Sequence, residues 1–281
     1  MKFSIIGDLH FPDIDQNVEG LEAAKSGFFY SFFNHLFDSK ADMYISLGDL
    51  TNYGSKEELE DVYQIINSKS REFYHVLGNH DLYSQPIEKV LNITKQPLYH
   101  SVVKEDAVFA FLNTAKEMDH EDWGGYLDKE QLAWLEEVVE ASGTMPLFVF
   151  AHHPVYDTTA RSHMEKLSID PDIDMWQILH KKKGQGVYFN GHNHQNSIVQ
   201  KDNWTFIQVA ACLDVQGWRS VELTDNQMIM TDYTISNPLM AEQAAFLSAK
   251  MNHFRPYPEA AGTVNDRQCV LTFNKIREVI S

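Results

Sequence analysis

The chain has 281 residues and a formal net charge of −17, so it lacks the basic excess with which proteins hold nucleic-acid polymers or anionic membranes. Hydrophobic residues at 43% and aromatics at 12% supply a core for one large domain, or for a domain with an appendage. Two cysteines, Cys212 and Cys269, are too few for a disulfide framework and point to a reducing, cytoplasmic setting; no segment reads as a membrane span, and the apolar start Met1 to Ile6 is too short for a signal peptide.

Taken in order, Lys2 to Ile6 reads as a buried strand that ends at Gly7-Asp8-Leu9-His10. From about Glu19 to Asp38, Leu21, Phe28, Phe32 and Leu36 recur at helical spacing and predict an amphipathic helix whose aromatic stripe is core. Asp42 to Leu47 predicts a second strand, closed by Gly48-Asp49, and Ser55 with Glu58 forms a capping box opening a helix through Asn67. Phe73 to Leu77 predicts a third strand, which delivers Gly78-Asn79-His80-Asp81. Two strands are expected between Leu98 and Leu112, then a loop at Trp123 to Tyr126 and a helix capped by Asp128, with Leu132, Leu135 and Val138 on its face. Leu147 to Ala151 is apolar throughout, as in a strand covered on both faces, and runs into His152-His153-Pro154. The polar stretch from Asp157 to Asp172 reads as a mobile lid or loop. A helix from Ile173 to Lys183 follows, then a strand from Val187 to Asn190 that ends at Gly191-His192-Asn193-His194. Further strands are expected at Thr205 to Ala210, Arg219 to Leu223 and Met228 to Ile235. Residues 1–235 thus read as one domain, and residues 236–281, with a helix near Met240 to Met251, as a C-terminal helical appendage.

Five of these strands deliver polar motifs from their C-terminal ends, where open α/β sheets place ligand crevices. The delivered side chains are Asp8, His10, Asp49, Asn79, His80, His152, His153, His192 and His194. Asp8 and His10 stand two apart, as do His192 and His194, so each pair can project to one side of extended backbone. Singly, each motif has an ordinary reading: a turn-capping pair, a helix cap, a histidine pair before a proline kink. Five such motifs at five strand ends are not independent accidents. Imidazole and carboxylate donors without thiolates suit Zn, Mn or Fe. His35, His75, His100, His120, His163, His180 and His253 follow no such pattern and read as ordinary side chains.

The order of the motifs resembles the signature of the calcineurin-like metallophosphoesterase superfamily. D-x-H falls at Asp8-Leu9-His10, the G-D motif at Gly48-Asp49 to Gly54, G-N-H-[DE] at Gly78 to Asp81, H-x-P at His152-His153-Pro154 and G-H-x-H at Gly191 to His194. The resemblance implies an α/β fold, a four-layer α/β/β/α sandwich of two mixed sheets with a dinuclear metal site at the strand C-terminal edge. It implies two divalent or mixed-valence transition metal ions per chain (Mn, Fe or Zn). Asp8, His10, Asp49 and His194 would bind one and Asp49, Asn79, His152 and His192 the other, with Asp49 shared. His153 stands one residue after the ligand position of H-x-P and is assigned to the pocket, as a substrate contact with Asn79 and His80. His80 and Asp81 are the expected catalytic pair, with His80 bonding a phosphate oxygen or protonating the leaving group and Asp81 orienting its ring. A metal pair would hold a bridging water, lower its pKa and clamp the phosphoryl oxygens of an ester.

The phosphoprotein-phosphatase branch of that superfamily shows G-D-x-V-D-R-G and G-N-H-E, whereas this chain has Asn52 and Tyr53 in the first motif and Asp81 at the end of the second. Gly48 to Ser55 with Glu57 and Glu58, and Gly125-Tyr126-Leu127 leading to Gln131, Trp134 and Leu135, are more similar to class III cyclic-nucleotide phosphodiesterases and bacterial glycerophosphodiesterases. Of six arginines only Arg161 falls near a motif, which fits a singly charged diester better than a dianionic monoester. Tyr53, Tyr83, Tyr156 and Trp123 are loop aromatics that either stack a base or pack. The expectation is a phosphodiesterase for small organic phosphodiesters, cyclic nucleotides among the candidates, with neither a nucleic-acid polymer nor a membrane as partner and homo-oligomerisation left open. The alternatives are a phosphomonoesterase of the same fold, a nuclease, which the acidity disfavours, and a non-catalytic metal-binding scaffold.

Overall fold

Short runs of Phe, Ile, Val and Tyr, buried on both faces, make the strands, and helices with one apolar stripe cover them. In a computed structural model of the chain, which describes residues 1–273, the order begins β1 (Lys2–Ile6), α1 (Leu21–Asp38), β2 (Met43–Ser46), α2 (Lys56–Asn67), β3 (Phe73–His75), α3 (Ile87–Thr94), β4 (His100–Lys104), β5 (Ala107–Phe111), α4 (Lys129–Ala141) and β6 (Leu147–Phe150). It continues with α5 (Met175–Leu179), β7 (Gly186–Asn190), β8 (Ser197–Lys201), β9 (Trp204–Gln208), β10 (Gly217–Leu223), β11 (Gln227–Thr234), α6 (Pro238–Lys250) and β12 (Gln268–Thr272).

One sheet runs β12-β11-β10-β1-β2-β3 and the other β4-β5-β6-β7-β9-β8. In the first, β1, β2 and β3 are parallel and β10 joins β1 antiparallel. In the second, β5, β6, β7 and β9 are parallel between antiparallel edges. The inner faces meet through Phe3, Ile5 and Ile45 from one sheet and Phe109, Phe148, Phe150 and Phe189 from the other. Phe3 alone stands edge-on to three of these rings, at 5.6, 5.8 and 6.3 Å; truncating such a ring costs about 3–5 kcal/mol. Helices α1, α2 and α6 cover the outside of the first sheet through Phe28, Phe32, Val62 and Leu247. Helices α4 and α5 cover the second through Leu135, Val139 and Leu179, against Tyr188 and Phe206. The four-layer sandwich of two mixed sheets is as expected, and all five motif-bearing strands end at one edge of it.

Three local expectations change. The helix expected from Ile173 to Lys183 is confined to Met175–Leu179; the chain then turns inward, and Lys182, buried, donates to the Gly143 carbonyl at 2.7 Å. The stretch 157–172 is not a free lid but a packed wall. Thr158 and Ser162 are buried and bond backbone carbonyls, Thr159 bonds Gln208 at 2.8 Å, and Asn193 Nδ2 donates to the carbonyls of Ala160 and Leu167. Strands β8 and β12 were not foreseen, because one is a half-exposed edge and the other alternates polar and apolar residues outside the region read for strands.

Beyond Ser236, α6 places Met240, Ala244 and Leu247 in the same core as Phe28 and Phe32, and β12 pairs antiparallel with β11 from Gln227↔Thr272 to Thr231↔Gln268. Residues 274–281 of this segment lie outside the described residues. No described helix is long and apolar enough to cross a membrane.

Candidate metal centre

The ends of β1 and β2 are tied together first. Leu9 and His10 both donate their backbone N–H to the Asp49 carbonyl, at 3.0 and 2.9 Å. Asp8 in turn accepts from the backbone N–H of His192, at 3.1 and 2.9 Å, which ties β1 to the end of β7 in the other sheet. Glycine is required where backbones approach these carboxylates: a Cβ on Gly78 would stand 2.1 Å from Asp49 Oδ1, and one on Gly191 2.1 Å from Asp8 Oδ1. The backbone here is not the extended D-x-H or H-x-H that the spacing suggests. His10, His192 and His194 all have positive φ, so turns rather than strand alternation aim these rings.

Two donor sets result. In one, His194 Nε2 lies 3.1 Å from both His10 Nε2 and Asp8 Oδ2, with Asp49 Oδ2 3.9 Å from His10 Nε2. In the other, His152 Nε2 lies 3.0 Å from Asn79 Oδ1, 3.1 Å from His192 Nδ1 and 3.3 Å from Asp49 Oδ2. Asp49 Oδ2 therefore stands between them. Asp8, His10, Asp49 and His194, and His152, His153 and His192, are the two groups among the described residues whose donor atoms converge within 4.8 Å.

The chemistry of the second set fits a cation. His152 Nδ1 and His192 Nε2 face the carbonyls of Leu47 and Lys166, each at 2.9 Å, and a carbonyl only accepts. Those nitrogens therefore carry the protons, and lone pairs are left on His152 Nε2 and His192 Nδ1. Asn79 donates Nδ2 to the Tyr83 hydroxyl at 2.7 Å, which turns its Oδ1 inward. Four acceptors then converge at about 3 Å, an arrangement that needs a shared positive charge. Burial alone would lower His152, but the Asp49 carboxylate, by charge and hydrogen bond, raises it to about 9. Burial and the adjoining His152 lower His192 to about 3. Burial would raise Asp49, yet His152, His80 and His10 hold it well below the usual carboxylate range.

His80 sits beside this centre. Its Nδ1 donates to the Asn52 carbonyl at 2.7 Å, its backbone N–H donates to Asp49 Oδ1 at 2.8 Å, and its Nε2 is 4.0 Å from Asp49 Oδ2. Asp81 does not orient this ring, contrary to expectation. Its buried carboxylate accepts from the backbone N–H groups of Leu50, Thr51 and Gly78 and from the Thr51 hydroxyl, and pairs with His75 Nε2 at 3.1 Å. Asp81 thus pins two motif loops together from behind, because the turn after Asn79 points it away from the His80 side chain. His153 also departs from its expected role. It is buried, its Nε2 donates to the Trp123 carbonyl and its Nδ1 accepts from the Thr114 hydroxyl, both at 2.9 Å, so neither nitrogen is left for substrate.

Sequence reasoning missed the groups that orient the others. Tyr83 lies four residues after Asn79, so one helical turn was a legible signal. The carbonyls of Leu47, Asn52 and Lys166 leave no side-chain trace. The expected loop aromatics divide: Tyr83 is buried, Tyr53 stacks on His253 at 5.1 Å and lies 5.7 Å from the His120 ring, and Trp123 and Tyr156 are exposed.

A two-sheet sandwich with carboxylate and imidazole donors gathered at the strand ends of both sheets defines a metal-binding α/β protein. The chain belongs to the calcineurin-like phosphoesterase family, whose model matches residues 1–196. Among curated proteins, a probable cyclic nucleotide phosphodiesterase of Rhodopseudomonas palustris is 26% identical over 203 residues, 69% of this chain and 72% of that protein. A glycerophosphodiester phosphodiesterase, GpdQ, of Enterobacter lignolyticus is 23% identical over 208 residues, 71% and 73% of the two chains. Among solved structures, a dimetal phosphatase from Danio rerio superposes with a TM-score of 0.68 at 15% identity, covering 83% of this chain and 96% of that one.

Proposed function

We propose that the chain is a metal-dependent phosphodiesterase acting on small organic phosphodiesters. The observation that carries this is Asp49 Oδ2, set between two convergent donor sets with His80 Nε2 4.0 Å away. Asp8, His10, Asp49 and His194 would hold one metal ion, and Asp49, Asn79, His152 and His192 the second. When bound, such ions would supply Lewis acidity, activating water as a nucleophile and offsetting charge on the phosphoryl oxygens.

The protein groups divide the remaining work. Because the Asn52 carbonyl fixes the proton of His80 on Nδ1, Nε2 is the atom that faces the reacting groups. As an imidazolium, His80 gives its Nε2 proton to the departing alkoxide oxygen or uses it to bond a phosphoryl oxygen, while Nδ1–H stays on the Asn52 carbonyl; as neutral imidazole it accepts a proton at Nε2. Asp81 holds the loops that carry Asp49, Asn79 and His80 in register.

Two features favour a diester over a monoester. Both curated relatives above are named as phosphodiesterases. Arg161, the arginine nearest the motifs in sequence, is committed elsewhere: its Nη1 donates to the Asn193 carbonyl at 2.9 Å and its guanidinium lies 4.4 Å over Tyr257. That guanidinium is thus engaged with the protein rather than held open for the second charge of a monoester dianion. Turnover of bis(p-nitrophenyl) phosphate and of p-nitrophenyl phosphate, each with Mn²⁺ under the same conditions, tests the reading. A higher kcat/KM for the diester is expected, and a higher value for the monoester overturns it.

A further inference from the structure

We propose that Phe254, in the loop after α6, is a positioning residue for the two histidines of one metal position, so that the C-terminal segment completes the centre. This rests on the reading above that His10 and His194 hold a metal.

The observation is an asymmetry among four histidines. His152 and His192 each have the outer ring nitrogen fixed by a backbone carbonyl at 2.9 Å. His10 and His194 do not. Nδ1 of His10 is buried without a hydrogen-bond partner among the described residues. Nδ1 of His194 stands 3.9 Å from Asp214 Oδ2, beyond hydrogen-bonding distance. What both rings do touch is Phe254, whose centroid is 4.9 Å from His10 at 68° and 5.3 Å from His194 at 25°. Phe254 is 4% exposed. Rotation of an imidazole about χ2 is soft, so a ligand ring needs an outer contact to hold its plane. For His152 and His192 that contact is a hydrogen bond. His10 also meets the His80 ring edge-on at 4.6 Å, but the contact that His10 and His194 share is the Phe254 ring, edge-on to the first and nearly parallel to the second.

The loop that carries Phe254 is itself moored to the site. Asn52 Nδ2 donates to the Asn252 carbonyl at 2.8 Å, and the Tyr257 N–H donates to Asp214 Oδ1 at 3.2 Å. His253 stacks on Tyr53, and Arg161 lies over Tyr257. Asn52 is also the residue whose carbonyl holds His80. The segment from Asn252 to Tyr257 therefore bears on the metal position and on the His80 loop together. It lies beyond residue 196, where the family match ends.

The test is calorimetric titration of Mn²⁺ into metal-free protein, with and without Phe254→Leu, which keeps a buried apolar side chain and removes the ring. In a His192→Ala background the intact set is Asp8, His10, Asp49 and His194, and Phe254→Leu should weaken binding there about 10-fold. In a His10→Ala background the intact set is the other one, and the same change should alter affinity by less than about twofold. Phe254→Tyr, which keeps the ring, should restore the loss. Unchanged affinity in the His192→Ala background overturns the proposal. Equal weakening in both backgrounds also overturns it, since that is the mark of general packing. Wild-type protein that binds fewer than two metal ions sinks the dinuclear reading itself and takes this proposal with it.

Discussion

Four side chains at the centre sit on backbone with positive φ: His10 at 51°, Asp49 at 47°, His192 at 69° and His194 at 53°. Each such conformation costs about 1–3 kcal/mol for a residue with a Cβ, and persists where surrounding bonds over-determine it. Here the Asp49 carbonyl receives two N–H groups and Asp8 receives the His192 N–H, so the strain is held by the loops that need it. His80 is different: its ring is held by the bond from Nδ1 to the Asn52 carbonyl and by packing on His10 and Tyr83, and it belongs to neither donor set. Replacing it by alanine should therefore lower kcat by about 10²–10⁴-fold, the usual worth of a positioned acid or base. Metal content, measured by emission spectrometry after reconstitution, should stay near that of wild type. Loss of metal in His80→Ala would show that the ring supports the ligands instead.

At the scale of the element, α2 links a local signal to a distant one. Its capping box is formed as expected, with the Ser55 side chain accepting from the Glu58 N–H and Glu58 reaching back to Ser55. Glu58 also accepts from the backbone N–H groups of Asp13 and Tyr53, both at 2.8 Å, which fixes the loops around Asn52. Burial pushes its carboxyl from an ordinary 4.5 up to about 7, against the pull of those donors. An acid raised on folding binds its proton more tightly in the folded state. Its contribution to stability is then complete below pH 4.5 and is lost as pH rises through 7, an effect of roughly 3 kcal/mol. Urea unfolding of wild type should accordingly show stability falling between those values, and Glu58→Gln should remove that part of the slope. Parallel pH profiles for the two proteins would disprove the assignment. The contrast in legibility is physical. Ser55 and Glu58 are three residues apart and announce themselves, whereas α5 stops at Leu179 because the chain turns to bury Lys182, a tertiary demand with no local sign.

Across the whole molecule, the first sheet delivers Asp8, His10, Asp49 and Asn79, and the second delivers His152, His192 and His194. The ligating residue types were legible because each follows an apolar run, and the order of the motifs made the two-sheet sandwich an expectation. How the backbone aims them was not, since carbonyls such as those of Leu47 and Lys166 have the same chemistry at every position. Nor was the reach of the C-terminal segment into the centre, because Phe254 follows no motif and reads as any buried phenylalanine. If both donor sets take cations, the metals join the strand ends of the two sheets, and their binding energy is folding energy. A ligand at 100 times its dissociation constant stabilises the native state by about 2.7 kcal/mol per site. For a chain of this size that corresponds to a rise in Tm on the order of 5 °C or more. Differential scanning fluorimetry of chelator-treated protein with increasing Mn²⁺ should show this rise. In Asp49→Asn, which weakens the carboxylate shared by both sets, most of it should disappear. A wild-type Tm that stays flat across the titration would mean that the two sheets are not bridged by metal.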